Sequence, residues 1–250
     1  MSKNFREVDL KRLGGLFFFI VVIVSISWGC WAIYQRLSNS RLMPMTEILI
    51  SGKRQYVEDA DLQRALANVP KSGNFFTLDV NKVQQALVAL PWVQQASVRK
   101  QWPNKLRVFL QEQEPVAHWN NAALLNTQGV IFDAPQTRLQ EPLVSLHGPD
   151  DEAPKVLENW QQMQQIVAGL KLTIRSVTLN ERDSWVVTLS NGIELRLVQK
   201  DRMERLQRFV KLYNQLHPEK MAYADLRYNN GLAIGWKKQQ DSTENDQNNR

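Results

Sequence analysis

Cysteine is almost missing from this chain. Only Cys30 occurs among 250 residues, so no intramolecular disulfide can form, and with three scattered histidines (His118, His147, His217) no thiol-ligated zinc site can be assembled. A large excess of one charge is missing too: 31 Lys and Arg stand against 25 Asp and Glu, a formal +6 that falls short of the polycation typical of nucleic-acid binders. There is no G-x-S-x-G elbow, no H-E-x-x-H helix, no glycine-rich phosphate loop and no internal repeat. The carboxylates are scattered, and a lone histidine such as His118 is more often a structural or surface residue than a base. One pattern tempts: Ser97-Val98-Arg99-Lys100 matches the S-x-x-K of penicillin-binding enzymes. That chemistry needs Ser and Lys on one helix face, whereas this run alternates like a strand and puts positions 97 and 100 on opposite sides. S-D-N and K-T-G are absent as well. The sequence therefore predicts no enzyme, no metal and no cofactor.

What is present begins with 23 consecutive uncharged residues, Leu13 to Gln35. At about 1.5 Å per residue they span roughly 34 Å against a hydrocarbon core of about 30 Å. A cleaved signal peptide has a shorter apolar stretch and a small-x-small site, and neither fits Phe17 to Ile33 followed by Tyr34, Gln35 and Arg36. Lys3, Arg6, Lys11 and Arg12 precede the span and only Arg36 and Arg41 follow closely, which leaves residues 1–12 in the cytoplasm and exports the rest. Trp28, Trp31 and Tyr34 sit near the outer end, where aromatic rings favour the headgroup level. No ionisable residue inside the span suggests transport, and no small-xxx-small seam suggests a helix dimer.

After a linker at 36–45, residues 46–115 read as a βααββ unit. Thr46 to Ser51 is a short strand ended by Gly52. Leu62, Ala65, Leu66 and Val69 recur at helical spacing up to Pro70, and Val80, Val83, Leu87 and Leu90 repeat the pattern, with Asp79 as N-cap and Pro91 as stop. Val93 to Gln101 and Leu106 to Glu112 are strands around a Trp102-Pro103-Asn104 turn. Residues 116–237 read as mostly strands broken by two helices. Short strands fall at Val116 to Trp119, Ala123 to Asn126 and Val130 to Phe132, and a helix follows at Pro154 to Ala168, with Val156, Trp160, Met163 and Val167 as its core stripe and Gly169 as its stop. Leu172 to Leu179, Trp185 to Ser190 and Ile193 to Val198 are strands, the last two joined by Asn191-Gly192. The second helix, Arg202 to Leu216, has Asp201 and Glu204 placed as a capping-box variant. The basic residues Lys200, Arg202, Arg205, Arg208 and Lys211 read as a solvated face partly offset by Asp201 and Glu204, the alternative being contact with lipid headgroups or an acidic partner. Met221 to Tyr228 and Leu232 to Trp236 are the final strands. Residues 238–250 lack any apolar side chain and are expected to be disordered. The fold class is α+β.

These residues carry a resemblance. Leu90-Pro91-Trp92-Val93, Ala96 to Pro103, Leu106 and Glu114-Pro115-Val116-Ala117 resemble the POTRA domain and exit of the bacterial FtsQ/DivIB cell-division family, and Asp225-Leu226-Arg227-Tyr228 with Gly231 and Gly235-Trp236 resembles that family's C-terminal signature. The resemblance implies a single-pass inner-membrane protein of a Gram-negative cell, with a POTRA domain and a mostly antiparallel β domain in the periplasm at the division septum. It implies a scaffold without enzymatic activity that binds FtsB and FtsL and meets other division proteins through the POTRA domain and anchor. The alternatives are a membrane-anchored cell-wall enzyme, and a POTRA-type envelope-assembly factor. Against the second, there is one POTRA-like unit and no strand series long enough for a barrel.

The last strand is short and ends the ordered chain, so it is expected to be a sheet edge that invites another strand. Carried over from the family, Arg227 and Tyr228 are the central contacts for FtsB, with Arg182, Leu212, Gly231 and Trp236 around them. Arginine meets a carboxylate bidentately and tyrosine offers rigid area with a polar tip. Gly231 and Gly235 would admit a foreign backbone closely. By residue type alone, Tyr228 reads as a core or turn aromatic and Arg227 as a solvated charge. A weaker surface is Gly52 with residues 51–57.

Overall fold

The computed structural model describes residues 10–37, 47–67, 69 and 78–237. The expected N-terminal tail, linker and C-terminal tail lie largely or wholly outside them. Helix α1 (Leu10–Leu37) contains Gly14–Gln35, a stretch of mean hydropathy 2.4 with none of it buried, and no other described helix is long and apolar enough to cross a membrane. A helix apolar on every side has no face to turn toward water, which is the pattern of a membrane span.

The chain divides after Glu112 into two compact units, so that Gln113 to Pro115 go with the second. In the first, strand β1 (Glu47–Ser51) is followed by α2 (Asp59–Ala67), α3 (Val80–Val88), β2 (Val93–Gln101) and β3 (Lys105–Glu112). The sheet order is β1-β3-β2, β1 parallel and β2 antiparallel to β3. Alternation sends Leu106, Val108 and Leu110 into a core with Ala96, Val98, Leu62, Val83, Leu87 and Trp92. Asp79 caps α3 by accepting from the Asn81 N–H at 3.0 Å. Gly52 has φ +123° and a side chain there would run into the Leu110 carbonyl, so only glycine fits this end of β1. Ser97 and Lys100 lie on β2, three residues apart and therefore on opposite faces.

The second unit is one nine-stranded sheet with helices on it. Its elements are β4 (Pro115–Trp119), β5 (Ala123–Asn126), β6 (Ile131–Phe132), β7 (Val144–His147), α4 (Ala153–Val167), β8 (Ile174–Leu179), β9 (Ser184–Leu189), β10 (Glu194–Val198), α5 (Arg202–Leu212), β11 (Met221–Asp225) and β12 (Ala233–Trp236). The order is β12-β11-β10-β9-β8-β7-β4-β5-β6. Most pairings are antiparallel, but β4/β7, β7/β8 and β10/β11 are parallel. The last two arise because α4 and α5 serve as crossovers, which parallel neighbours require. Register lines up Trp119, Leu146, Val177, Val187, Leu195, Ala224 and Ile234 across seven strands, buried except for the partly buried Ile234. The adjacent row on the opposite face, His118, Ser145, Ser176, Thr188, Glu194, Tyr223 and Gly235, is mostly polar. One face meets the helices and the other meets water.

Several expectations change. Strand β7 was not legible as a strand: four residues beyond a Pro- and Gln-rich stretch carry too little alternation. Helix α4 does not stop at Gly169. It tightens into a 3-10 turn, Ala168–Leu170, and Lys171 adopts the left-handed stop at φ +57°. Asp201 makes no capping bond because it is itself left-handed at φ +55°, so its side chain does not reach the first-turn amides. Helix α5 ends at Leu212 and continues only as a 3-10 turn, Tyr213–Gln215. Strand β11 ends at Asp225, which leaves Arg227 and Tyr228 in the β11–β12 connection rather than in a strand. Trp160 and Met163 of α4 do pack in the core.

Candidate partner-binding edge

Strand β12 pairs only with β11, so among the described residues its other edge has no strand beside it. The β11–β12 ladder is short and broken by a bulge between Met221 and Tyr223, although Lys237 N–H extends it by donating to the Lys220 carbonyl at 2.8 Å. Gly235 is needed here for a reason other than the expected one. The ring of Tyr223 lies across it, where any Cβ would overlap the ring carbons, and the Arg196 guanidinium stacks over the same ring at 4.5 Å. The space above Gly235 is therefore filled by the chain itself, whereas Gly231 faces open space.

The strand registers locate the expected contact residues. Ser184 beside Val198, Arg196 beside Asp225 and Asp225 beside Ala233 bring the β8–β9 turn, the end of β11 and the start of β12 to one end of the sheet. Arg182, Arg227, Tyr228 and Gly231 share that end. Trp236 pairs with Met221 at the opposite end of β12, about 10 Å along the strand. Leu212, half-buried, closes α5. Tyr228 is 58% exposed and Trp236 54%, which is unusual for side chains this large. Tyr228 is thus not a core aromatic.

Arg227 is not a free solvated charge either. Its Nε donates to both Asp225 oxygens at 2.9 and 3.0 Å, and its Nη2 to Oδ2 at 2.6 Å. These bonds hold the Asp225 carboxyl below its usual range against the opposing effect of burial, and raise the Arg227 guanidinium. Next to it, Glu194 bonds Arg196 at 2.7 Å and raises that guanidinium in turn.

The arginines of α5 are not a solvated face, although Lys211 is exposed. Arg202 donates to Asn159 Oδ1 at 2.6 Å and stacks over Trp185 at 4.9 Å, and burial lowers its pKa. Arg205 is 5% exposed and donates to the carbonyls of Lys200, Leu226 and Tyr228 and to Asn229 Oδ1; Arg208 reaches the Asn229 carbonyl at 2.8 Å. Helical spacing alone places 202, 205 and 208 near one another, but does not show that Arg205 and Arg208 meet the β11–β12 connection while Arg202 meets Asn159 and Trp185. In the first unit, the 51–57 surface is also partly spoken for. Glu112, 8% exposed, accepts from the N–H groups of Gln55, Tyr56 and Val57 at 2.7, 3.0 and 2.8 Å. Those donors are not open to a partner strand.

Residues 43–113 match the profile described as POTRA domain, FtsQ-type, and residues 117–227 match the one described as Cell division protein FtsQ/DivIB, C-terminal. The chain belongs to the FtsQ/DivIB family. A family member of Aliivibrio fischeri, named Cell division protein FtsQ, is 40% identical over 252 residues, covering 100% of this chain and 98% of its own length. One from Shewanella oneidensis with the same name is 42% identical over 92% of this chain and 88% of its own. The Escherichia coli K12 member is 34% identical, covering 92% and 87%. The C-terminal profile ends at Arg227, ahead of Tyr228, Gly231 and Trp236, while the Aliivibrio relative aligns across the whole chain. Family membership agrees with the α+β architecture and the POTRA unit found above.

Proposed function

We propose that this protein is a non-enzymatic scaffold of the bacterial division machinery, held in the inner membrane by α1 with its N-terminus in the cytoplasm and both folded units in the periplasm. In this reading residues 13–35 span the membrane, the first unit up to Glu112 is the POTRA domain and the second, from Gln113 to residue 237, the β domain, and the protein acts at the septum, linking early and late division proteins. Its partners are FtsB and FtsL. FtsB adds a strand to β12, with main-chain hydrogen bonds supplying affinity and side chains supplying selectivity. The observation that carries the reading is the unpaired outer edge of β12, flanked by the exposed Tyr228 and Trp236 in a member of this family. Arg227 and Gly231 lie in the connection that leads into its start, Arg182 lies at the same end of the sheet but in the β8–β9 turn, and Leu212 completes the expected contact set.

The test is co-purification. Tyr228→Ala is expected to abolish recovery of FtsB while circular dichroism and thermal unfolding stay close to wild type; Arg227→Glu is expected to abolish it too, with a modest loss of stability because it removes the partner of Asp225. Full recovery with both variants would remove the edge as the site. A cell-wall enzyme acylated at Ser97 would be labelled by a penicillin-type probe, and no label is expected. Depletion in cells is expected to give long undivided filaments, not lysis or envelope-assembly defects.

A further inference from the structure

Strand β12 has only four residues, and among the described residues β11 is the single strand neighbour that fixes its register. Something must hold the connection between β11 and β12. Residues 227–231 are exposed, and a side chain at Gly231 would touch nothing. Among the described residues, besides the Asp225–Arg227 pair and a bond from Leu226 N–H to the Arg196 carbonyl at 2.8 Å, two arginines of α5 tie this segment down. Arg205 donates through Nη1 to the Leu226 carbonyl at 3.1 Å and the Tyr228 carbonyl at 2.7 Å, and through Nη2 to Asn229 Oδ1 at 2.7 Å. Its Nε donates to the Lys200 carbonyl at 3.1 Å, which fixes the guanidinium from behind. Arg208 adds the Asn229 carbonyl.

The choice of partners is informative. Arg205 is buried, and none of its four acceptors is a carboxylate. A cation removed from water carries a large desolvation cost, and here only oriented carbonyl dipoles and one amide offset it. Five donors in a rigid planar fork can satisfy four acceptors at once; an ammonium on a flexible stem cannot reproduce that geometry. Three of the four acceptors lie 21 to 24 residues away in sequence, so those bonds join the helix layer to the connection and not the helix to itself.

We propose that Arg205 is a positioning residue for the edge: it fixes the backbone at Leu226, Tyr228 and Asn229 so that the Tyr228 side chain and the start of β12 are presented in the geometry the incoming strand needs. The proposal rests on the edge reading above. Without Arg205 the connection samples several arrangements, and the partner must order it on binding, which lowers affinity without removing a single direct contact.

The experiment uses the full chain in detergent micelles, with Arg205→Lys and Asn229→Ala. Amide hydrogen exchange is followed by mass spectrometry without any partner, and FtsB binding is measured separately. Arg205→Lys is expected to speed exchange over residues 226–236 roughly tenfold while β8 and β9 keep their protection, and to weaken FtsB binding by about tenfold or more. Asn229→Ala, which removes one acceptor and leaves the cation in place, is expected to move both in the same direction by less. A merely structural role for Arg205 would lower protection in β8 and β9 as much as in 226–236, and that outcome overturns the proposal. Unchanged exchange over 226–236 overturns it whatever the binding does. Faster exchange there with undiminished FtsB capture instead sinks the edge as the binding site. If Arg205→Lys fails to fold, Asn229→Ala decides, and unaltered exchange in that variant counts against the proposal.

Discussion

Glu112 shows what one buried carboxylate does when its partners are all backbone donors. It ends β3 and accepts from three successive N–H groups, Gln55 to Val57, which belong to the chain leaving β1. The charge is buried, but each bond to it is charge-assisted, so the group both ties down the segment and satisfies donors that would otherwise be desolvated. Glu112→Ala is expected to destabilise the POTRA unit by about 2–4 kcal/mol, and Glu112→Gln by less because one acceptor oxygen survives; denaturant unfolding measures both. Asp225 makes a different prediction. Its carboxyl is held low in the folded protein, chiefly by hydrogen bonds from Arg227, so it binds fewer protons folded than unfolded. The pair therefore contributes stability that is complete above the ordinary aspartate range of about 4 and is lost as pH falls through the lower folded value. Half of Arg227 lies in water, so the effect is small. Asp225→Asn is expected to lower stability at pH 7, and the gap from wild type should close in acid; a gap that stays constant down to pH 2 would contradict the pairing.

At the scale of elements, the edge is a three-strand stack as much as a free strand. Arg196 of β10 covers Tyr223 of β11, which covers Gly235 of β12. An aromatic laid across a glycine on the neighbouring strand buries backbone and pins register. Gly235→Ala would push the Tyr223 ring aside and is expected to cost roughly 1–3 kcal/mol and to reduce FtsB recovery, while Gly231→Ala, facing open space, leaves stability unchanged. Comparison of FtsB recovery and thermal unfolding for the two glycine variants checks this. The stack also marks where the sequence stops being readable. Period-two alternation disclosed β2 and β3, Asn191-Gly192 the hairpin of β9 and β10, and Asp79 the start of α3, because those signals are local. Strand β7 and the parallel pairings it creates were hidden, since its four residues acquire strand character only from β4 and β8 on either side. Asp201 has the residue type of a cap, but its left-handed backbone is set by the turn out of β10. Likewise Arg205 looked like a solvated helix charge, and only the crossover from β10 to β11 shows that it faces carbonyls. Motif resemblance supplied the expected contact residues on the β11–β12 connection as candidates only; their geometry was not legible.

For the whole molecule, the question is on which side of the membrane the units that follow the apolar helix lie. Four basic residues, Lys3, Arg6, Lys11 and Arg12, precede the span and two, Arg36 and Arg41, follow it within a few positions. That asymmetry favours retention of the N-terminus in the cytoplasm and translocation of what lies beyond. The functional proposal depends on this orientation, because β12 can meet a periplasmic partner only from that side. The lone cysteine makes the orientation measurable. In a Cys30→Ser background, Glu181→Cys in the exposed β8–β9 turn is expected to react with a membrane-impermeant maleimide in intact spheroplasts, and Ser2→Cys only after lysis. Both positions reacting only after lysis would place the folded units inside, and the reverse pattern for Ser2 would invert the anchor. Either result excludes strand addition in the periplasm, however well the isolated edge binds FtsB in vitro.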